Sequence, residues 1–431
     1  MTKAEDHPPT MPQPWMLEPA TRAVIGALAA GGVETRFVGG VVRDALLGLP
    51  IGATADIDIA TPAPPERVTE LLQQRGIKVV PTGLAHGTVT AIPAPPPGQR
   101  PRHFEITTLR RDVETYGRRA RVAFDADWAA DAARRDFTIN AIFLSPDGTI
   151  DDPTGGLADL RRGRVRFVGD AVRRIAEDVL RILRYYRFEA RFGSGTGDRE
   201  ARAACHAAAS LLPRLSPERV AHELMRLLEI GEPSAALAMM AEDGVLAVIL
   251  PEARRLDRLR RLIAIEPEPD PLRRLAALVE VDAAGAKALA ERLRFSNERS
   301  DRLIGLAPPS PVDLHAGASA QRHAIYRLGP ARYRDLVLLR ASEKGLSADH
   351  LAALLTLAAD WPMPVLPVTG HDVVALGVQP GPRVGALLAA VERRWEAQDF
   401  APDRAQCLAY LDALLATEAR WGEHVTTGDQ R

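Results

Sequence analysis

Asp56-Ile57-Asp58 sets two carboxylates two residues apart. In an extended strand residues i and i+2 project to the same face, and two carboxylates there repel each other unless a cation sits between them. Hard oxygen ligands suit Mg²⁺, which usually keeps waters and substrate phosphates as its remaining ligands. A solvated strand end, or two capping acids, fits the same residues, and glycosyltransferases also use such pairs. The motif alone fixes no reaction. Upstream, Val38-Gly39-Gly40-Val41-Val42-Arg43-Asp44 places a glycine pair after a strand and before a helix. There the backbone amides can approach a phosphate, and the helix N-terminus points at it. Arg43, one turn in, can add a charge-assisted contact. Alone this is an ordinary strand–turn–helix joint; beside the carboxylate pair it reads as a triphosphate clamp next to a metal site.

Glu105 alternates with Phe104 and Ile106 in FEITTLRRD, which turns the two apolar side chains to the core and leaves Glu105 on the other face. It is either a third carboxylate near the metal or an exposed strand residue. Arg134-Arg135-Asp136 directly precedes the apolar FTINA segment (137–141), the pattern of a rim salt bridge or of a nucleotide-pocket wall. Between Arg161 and Arg191 ten arginines face four acids, a local balance of +6. The spacing predicts one helix over 171–191. On it Asp178 and Arg181 are i,i+3 neighbours able to hold each other planar. A carboxylate beside a guanidinium fork offers an acceptor next to donors, and cytosine and adenine both present an amino donor beside a ring-nitrogen acceptor, an edge uracil and guanine do not share. The alternative is an ordinary helical salt bridge worth little. Arg184 and Arg187 follow in steps of three and drift about 60° each around the helix, so Arg187 meets either phosphate or the helical core.

The elements that must carry these residues divide the chain. A helix is expected over 18–31, closed by Gly31-Gly32 as a C-cap signal. Short alternating runs at Arg36–Val38, Asp56–Ala60, Gly87–Ile92 and His103–Thr108 read as strands. A helix over 65–75 separates the second from the third. Pro93–Pro101 (PAPPPGQRP) cannot join a ladder and reads as an enlarged hairpin loop. After Arg161 alternation gives way to helical spacing, with segments at 171–191, 199–212, 217–230, 233–248 and 383–396. EPEPDP (266–271) and APPSP (307–311) read as joints between subdomains. The expected fold is α+β: a small mixed-sheet head at 18–160, an all-α neck at 161–265, and a helical body and tail at 266–431, after a polar N-terminus at 1–17.

The 431 residues are 46% hydrophobic and 26% charged, enough to bury a core and unlike a disordered or disulfide-stapled chain. The net charge of −1 leaves no global polyanion signal, so a nucleic-acid surface must come from local segregation of charge. Arginine supplies 51 of the 55 basic residues (55 less the lysines at 3, 78, 287 and 344), and arginine is the better fork for phosphates and base edges. Cys205 and Cys407 form no metal-ligand cluster and suit a reducing cytoplasm. No signal peptide or membrane span is expected.

Taken together, the chain resembles the class II branch of the DNA polymerase β-like nucleotidyltransferase superfamily, which holds tRNA CCA-adding enzymes and bacterial poly(A) polymerases. The likeness runs in order through GGVVRDALLG (39–48), DIDIAT (56–61), HGTVT (86–90), FEITTLR (104–110), RRDFTINA (134–141), DPTGGLADL (152–160) and EDVLRILRYYRF (177–188). LRFSNE (293–298) and TGHDVVALGVQPGPRVGALL (369–388) are similar to body and tail segments of CCA-adding enzymes and favour CCA addition over poly(A) synthesis. The resemblance implies that Asp56 and Asp58 bind Mg²⁺ with Glu105 in support, and that Gly40 and Arg43 hold the triphosphate. It implies that Arg135 and Asp136 contact the nucleotide from the head. Asp178 and Arg181 would read the base, with Arg184 and Arg187 completing the pocket. The implied substrates are CTP, ATP and the tRNA acceptor end, in the cytoplasm, with no membrane and no obligate protein partner. A poly(A) polymerase, a CC- or A-only adding enzyme, and a non-catalytic RNA-binding module are the competing readings. The Pro-rich insertion departs from the family pattern, and the absence of an HD-type phosphohydrolase signature predicts no appended phosphatase activity.

Overall fold

The computed structural model describes residues 12–52, 55–84, 87–98, 100–116, 119–124 and 127–426, with backbone alone at 111–116, 119–124 and 418–426. Most of the expected polar N-terminus, together with His86 of HGTVT and Gln99 of the Pro-rich loop, lies outside the described residues. The chain forms two compact units. One runs up to Leu256 and includes Pro269–Val279 and Glu291–Phe295; the other holds Asp257–Glu268, Glu280–Ala290 and the chain from Ser296 on. One crossing between them falls inside EPEPDP, between Glu268 and Pro269. APPSP instead joins two helices of the second unit.

The first unit opens with α1 (Pro19–Ala30), β1 (Arg36–Val38) and α2 (Gly40–Leu46). Then come β2 (Ile57–Thr61), α3 (Pro65–Gln74), β3 (Lys78–Gly83), β4 (Thr88–Ile92) and β5 (Phe104–Thr108). A hairpin of β6 (Arg110–Tyr116) and β7 (Arg119–Phe124), then α4 (Trp128–Ala133), β8 (Phe143–Leu144), β9 (Ile150–Asp151) and α5 (Gly156–Arg161) complete the sheet region. The main sheet has seven strands in the order β3-β4-β5-β2-β1-β8-β9. The β2–β5 pair is parallel, while the other pairs are antiparallel. Alternation works as the spacing requires: Ile57, Ile59, Phe104 and Ile106 are buried to 1% exposure or less, while Glu105 between them is exposed. The Pro-rich segment does connect two antiparallel neighbours, β4 and β5. Four pieces were not among the expected strands: β3, the β6–β7 hairpin, β8 and β9.

Helices follow: α6 (Ala171–Glu177), α7 (Leu180–Phe192), α8 (Arg199–Ala208) and α9 (Pro217–Leu228). The single helix expected over 171–191 is therefore two. Asp178 stands between them in extended conformation (φ −151°, ψ 108°), and its Oδ1 accepts a hydrogen bond from the Leu180 backbone N–H at 3.1 Å. A short acidic side chain that captures a nearby amide competes with the helical ladder, and here it starts a new helix instead of continuing the old one. The 233–248 segment divides too, into Ser234–Glu242 and Val245–Ile249, at Gly244 with φ +73°.

The second unit is helical among its described residues. It includes Pro382–Ala397 and Arg404–Thr426, packed about Val373, Leu387, Val391, Trp395 and Leu411. Among the described residues, no helix is long and apolar enough to cross a membrane.

Candidate active site

The site grows from the centre of the sheet. Antiparallel register sets Val38 of β1 against Asp58 of β2, and parallel register sets Asp58 beside Glu105 of β5. Directly paired residues share a face, so Glu105, Asp58 and Asp56 two residues before it present three carboxyls on one side. Asp56 precedes the strand and has a 63% exposed side chain, with His103 Nδ1 3.8 Å away. Asp58 is more enclosed. Burial pushes its carboxyl up to about 6, with Glu105 and then Asp56 adding like-charge repulsion against the opposing pull of Arg135. Among the described residues no side chain donates a hydrogen bond to it. Among the described residues no three acids close into a preformed metal cluster; what the sheet offers a hard divalent cation is the enclosed Asp58 carboxyl, whose charged form a cation would stabilise, with the acids at 56 and 105 as neighbours.

The turn from β1 into α2 lies on that carboxyl. Gly39 has φ +78° and ψ −140°, and a Cβ there would stand 2.8 Å from Asp58 Oδ2. Both facts demand glycine: this positive-φ backbone is essentially confined to glycine and costs another residue about 1–3 kcal/mol, and the methyl would displace the carboxylate. Gly39→Ala is therefore expected to remove nearly all activity while lowering thermal stability by only a few degrees. A variant with wild-type turnover would show that Asp58 needs no fixed position.

Arg43, 5% exposed, does not project freely from α2. Its Nη1 donates to Asn140 Oδ1 at 2.6 Å, its Nε and Nη2 to Asp44 Oδ1 at 2.9 and 2.6 Å, and its plane lies 4.0 Å over Phe192. Burial lowers its pKa against the pull of Asp44. Asn140 Nδ2 in turn donates to Asp136 Oδ1 at 3.1 Å, and Arg184 of α7 donates Nε to Asp136 Oδ2 at 2.8 Å. Burial alone would raise the Asp136 carboxyl, but the Arg184 charge and the bonds from Asn140 and Phe137 hold it below its ordinary value. Asn140 thus ties Arg43 on α2, through Asp136, to Arg184 on the helix α7. Arg135 leans on Asp131, 1% exposed, through Nε and Nη2 at 3.2 and 2.9 Å.

The expected Asp178–Arg181 pair does not form. Asp178 lies at the helix break, and its Oδ2 accepts from Arg219 of α9 at 2.7 Å. Arg181 donates Nη1 to Glu177 Oε2 at 2.6 Å and to the Arg174 carbonyl at 2.9 Å. Losing the helical register at Asp178 removed the i,i+3 geometry. Arg187 is 6% exposed, with Nε 2.5 Å from Glu223 Oε2, yet it still lines the site's cavity, so the two outcomes left open for it do not exclude each other.

A cavity of about 570 Å³ collects nine of the eleven residues singled out from sequence: Gly40, Arg43, Asp58, Arg135, Asp136, Asp178, Arg181, Arg184 and Arg187. Asp56 and Glu105 lie outside its lining. Sequence reasoning gave no role to Asn140, which lies inside RRDFTINA, or to Arg191, counted only within the arginine-rich run, or to Arg219 and Arg226, for which no local signal existed.

Two family descriptions match this unit. Residues 35–166 match "Poly A polymerase head domain" and 198–256 match "Probable RNA and SrmB- binding site of polymerase A". Along most of its length the chain is 34% identical to the human mitochondrial CCA tRNA nucleotidyltransferase 1, covering 88% of this chain and 86% of that protein. The chain belongs to the CCA-adding tRNA nucleotidyltransferase family. The Geobacillus stearothermophilus CCA-adding enzyme is 33% identical over 86% of this chain and 90% of its own. A Bacillus stearothermophilus CCA-adding enzyme solved in complex with CTP superposes with a TM-score of 0.74 at 29% identity, covering 94% of this chain and all of that one. The head description is named for poly(A) polymerases, but the full-length relatives are CCA-adding enzymes, as the 293–298 and 369–388 segments predict. Nucleotidyltransferases of this family generally use divalent metal ions, which agrees with the carboxylate face of the sheet.

Proposed function

We propose that this chain adds C, C and A in turn to the 3′ end of tRNA from CTP and ATP, without a nucleic-acid template. The observation that carries the reading is that one cavity joins the Asp58 carboxyl and the Gly40–Arg43 turn to Asp178 and Arg181 on the helical wall. Metal-supporting carboxyl, triphosphate clamp and base-reading groups thus share one space. Asp56 and Asp58 hold Mg²⁺, with Glu105 beside them. Bound there, Mg²⁺ would lower the pKa of the attacking hydroxyl and offset the charge of the leaving pyrophosphate.

Gly40 and Arg43 orient the triphosphate, and the Asn140 and Asp44 bonds keep that guanidinium in place. Arg135 and Asp136 contact the nucleotide from the head. Asp178 accepts from the amino group of cytosine or adenine while Arg181 donates to the ring nitrogen, and Arg184 and Arg187 complete the wall. The tRNA 3′ oxygen then bonds to the α-phosphorus, the bond from that phosphorus to the bridging oxygen breaks, and pyrophosphate leaves. Residues 18–160 act as catalytic head and 161–265 as neck, with 266–431 gripping the RNA through phosphate and shape contacts. Two buried free cysteines, Cys205 and Cys407, suit work in a reducing cytoplasm.

The test incubates the protein, Mg²⁺ and a tRNA transcript lacking its 3′ end with CTP, ATP or both, and sizes products at nucleotide resolution. Two additions with CTP alone and three with both are expected. A long ladder with ATP alone would make the chain a poly(A) polymerase, and no extension in any lane would favour a non-catalytic RNA-binding module.

A further inference from the structure

We propose that Arg226, together with Arg187 and Arg191, forms a second anion subsite that receives the pyrophosphate as it leaves; this rests on the nucleotidyl-transfer reading above. A smaller cavity of about 270 Å³ is lined by Arg187, Arg191, Arg226, Glu229, Ile230 and Gly231. Its three arginines also line the larger cavity, so the two share a cationic wall.

The charges on that wall are unequally offset. Arg184 has Asp136 and Arg187 has Glu223 within ion-pair distance. Among the described residues Arg191 has only a share in Asp44, at 3.2 Å, which also serves Arg43. Arg226, exposed on the last turn of α9, has no acid within ion-pair distance among the described residues. Neither does Glu229, one turn further on, reach any arginine among them. Arg187 is held below its ordinary pKa by burial first; Glu223 pulls the other way, and weaker repulsion from Arg184 and Arg226 adds to the lowering. A guanidinium that no acid offsets, set beside others that repel it, is stabilised by a bound anion. The backbone here does not oppose one, because the Ile230 and Gly231 carbonyls already accept from Arg274.

The direction of α7 says which phosphate this is. Its 13 residues span about 20 Å. The base-reading residues stand at its start, and at its end Phe192 lies under Arg43 while Arg191 meets Asp44. The smaller cavity therefore opens beside the triphosphate clamp, away from the base. When the bond between the α-phosphorus and the bridging oxygen breaks, the β- and γ-phosphates are the groups nearest Arg191, with Arg187 one turn behind it and Arg226 across from both. An RNA backbone phosphate has the same chemistry, and the experiment separates the two.

Inorganic pyrophosphate is titrated into the full-length protein and its Arg226→Ala and Arg226→Lys variants by calorimetry, and tRNA binding is measured in parallel. Arg226→Ala is expected to weaken pyrophosphate about tenfold, the size of one charge-assisted contact, with tRNA affinity changed less than twofold and Arg226→Lys recovering most of the loss. Product inhibition by pyrophosphate should weaken in step. Unchanged pyrophosphate binding with weakened tRNA binding would give this wall to the RNA backbone and overturn the proposal, as would no change in either or no pyrophosphate binding by the wild type. The transfer reading is judged separately, by whether the wild type extends tRNA at all.

Discussion

Asp58→Asn is expected to abolish nucleotide transfer, by on the order of 10³-fold or more, and at the same time to make the metal-free protein more stable at neutral pH. The two effects share one cause. Burial and the neighbouring acids hold the folded Asp58 carboxyl at about 6, above its ordinary 3.8. Between those values the folded state keeps a proton that the unfolded state has lost. The group's contribution to stability therefore falls as pH rises from about 4 to about 6, and stays lower above. An amide of the same shape has no such term. In chelator, the melting temperature of Asp58→Asn should match the wild type near pH 4 and exceed it at pH 7.5. Added Mg²⁺ should stabilise the wild type at pH 7.5, less so below pH 6 where protons compete for the carboxyl, and leave Asp58→Asn unmoved. Wild-type-like turnover in the variant would sink the metal assignment. A variant less stable than wild type at both pH values would make Asp58 a structural residue instead.

That site was largely legible because its chemistry is local. The strand alternation that buries Ile57 and Ile59 also decides where Asp58 points, and the glycine pair directly follows Val38, the residue in register with it. What escaped depended on context. The segment KVVPTG contains Pro81, which argues against a strand, yet β3 lies at the sheet edge, where a missing N–H is tolerated. β8 and β9, two residues each, are too short to show a period. The break at Asp178 was hidden because neither glycine nor proline marks it and the apolar spacing runs through it; only the Leu180 amide, captured by the side chain, reveals it. Long-range partners left no trace at all. Arg219 lies 41 residues beyond the Asp178 it holds, and Asn140 is 97 residues from Arg43.

The broken helix also sharpens the expectation for base choice. Had Asp178 and Arg181 held each other, removing either would have released both. Instead Asp178 is fixed by the Leu180 amide and Arg219, and Arg181 by Glu177 and the Arg174 carbonyl. Each of the two side chains keeps its own support. Arg181→Ala should therefore leave Asp178 in place and remove one side of the base contact. A good two-point contact is worth about 1–3 kcal/mol of discrimination, so kcat/KM for CTP and ATP should fall by about 10- to 100-fold. The values for UTP and GTP, which never matched the donor fork, should change little. Triphosphate affinity should change less than about threefold, because Arg43 is held by Asn140 and Asp44 and shares no hydrogen bond with Arg181. Selectivity for CTP and ATP over UTP and GTP would thus collapse while binding of the triphosphate persists. The measurement is steady-state incorporation of each nucleotide by the wild type and the variant. If all four lost activity in equal proportion, Arg181 would be supporting the pocket and not reading the base. If selectivity were unchanged, the donor fork would have to come from elsewhere.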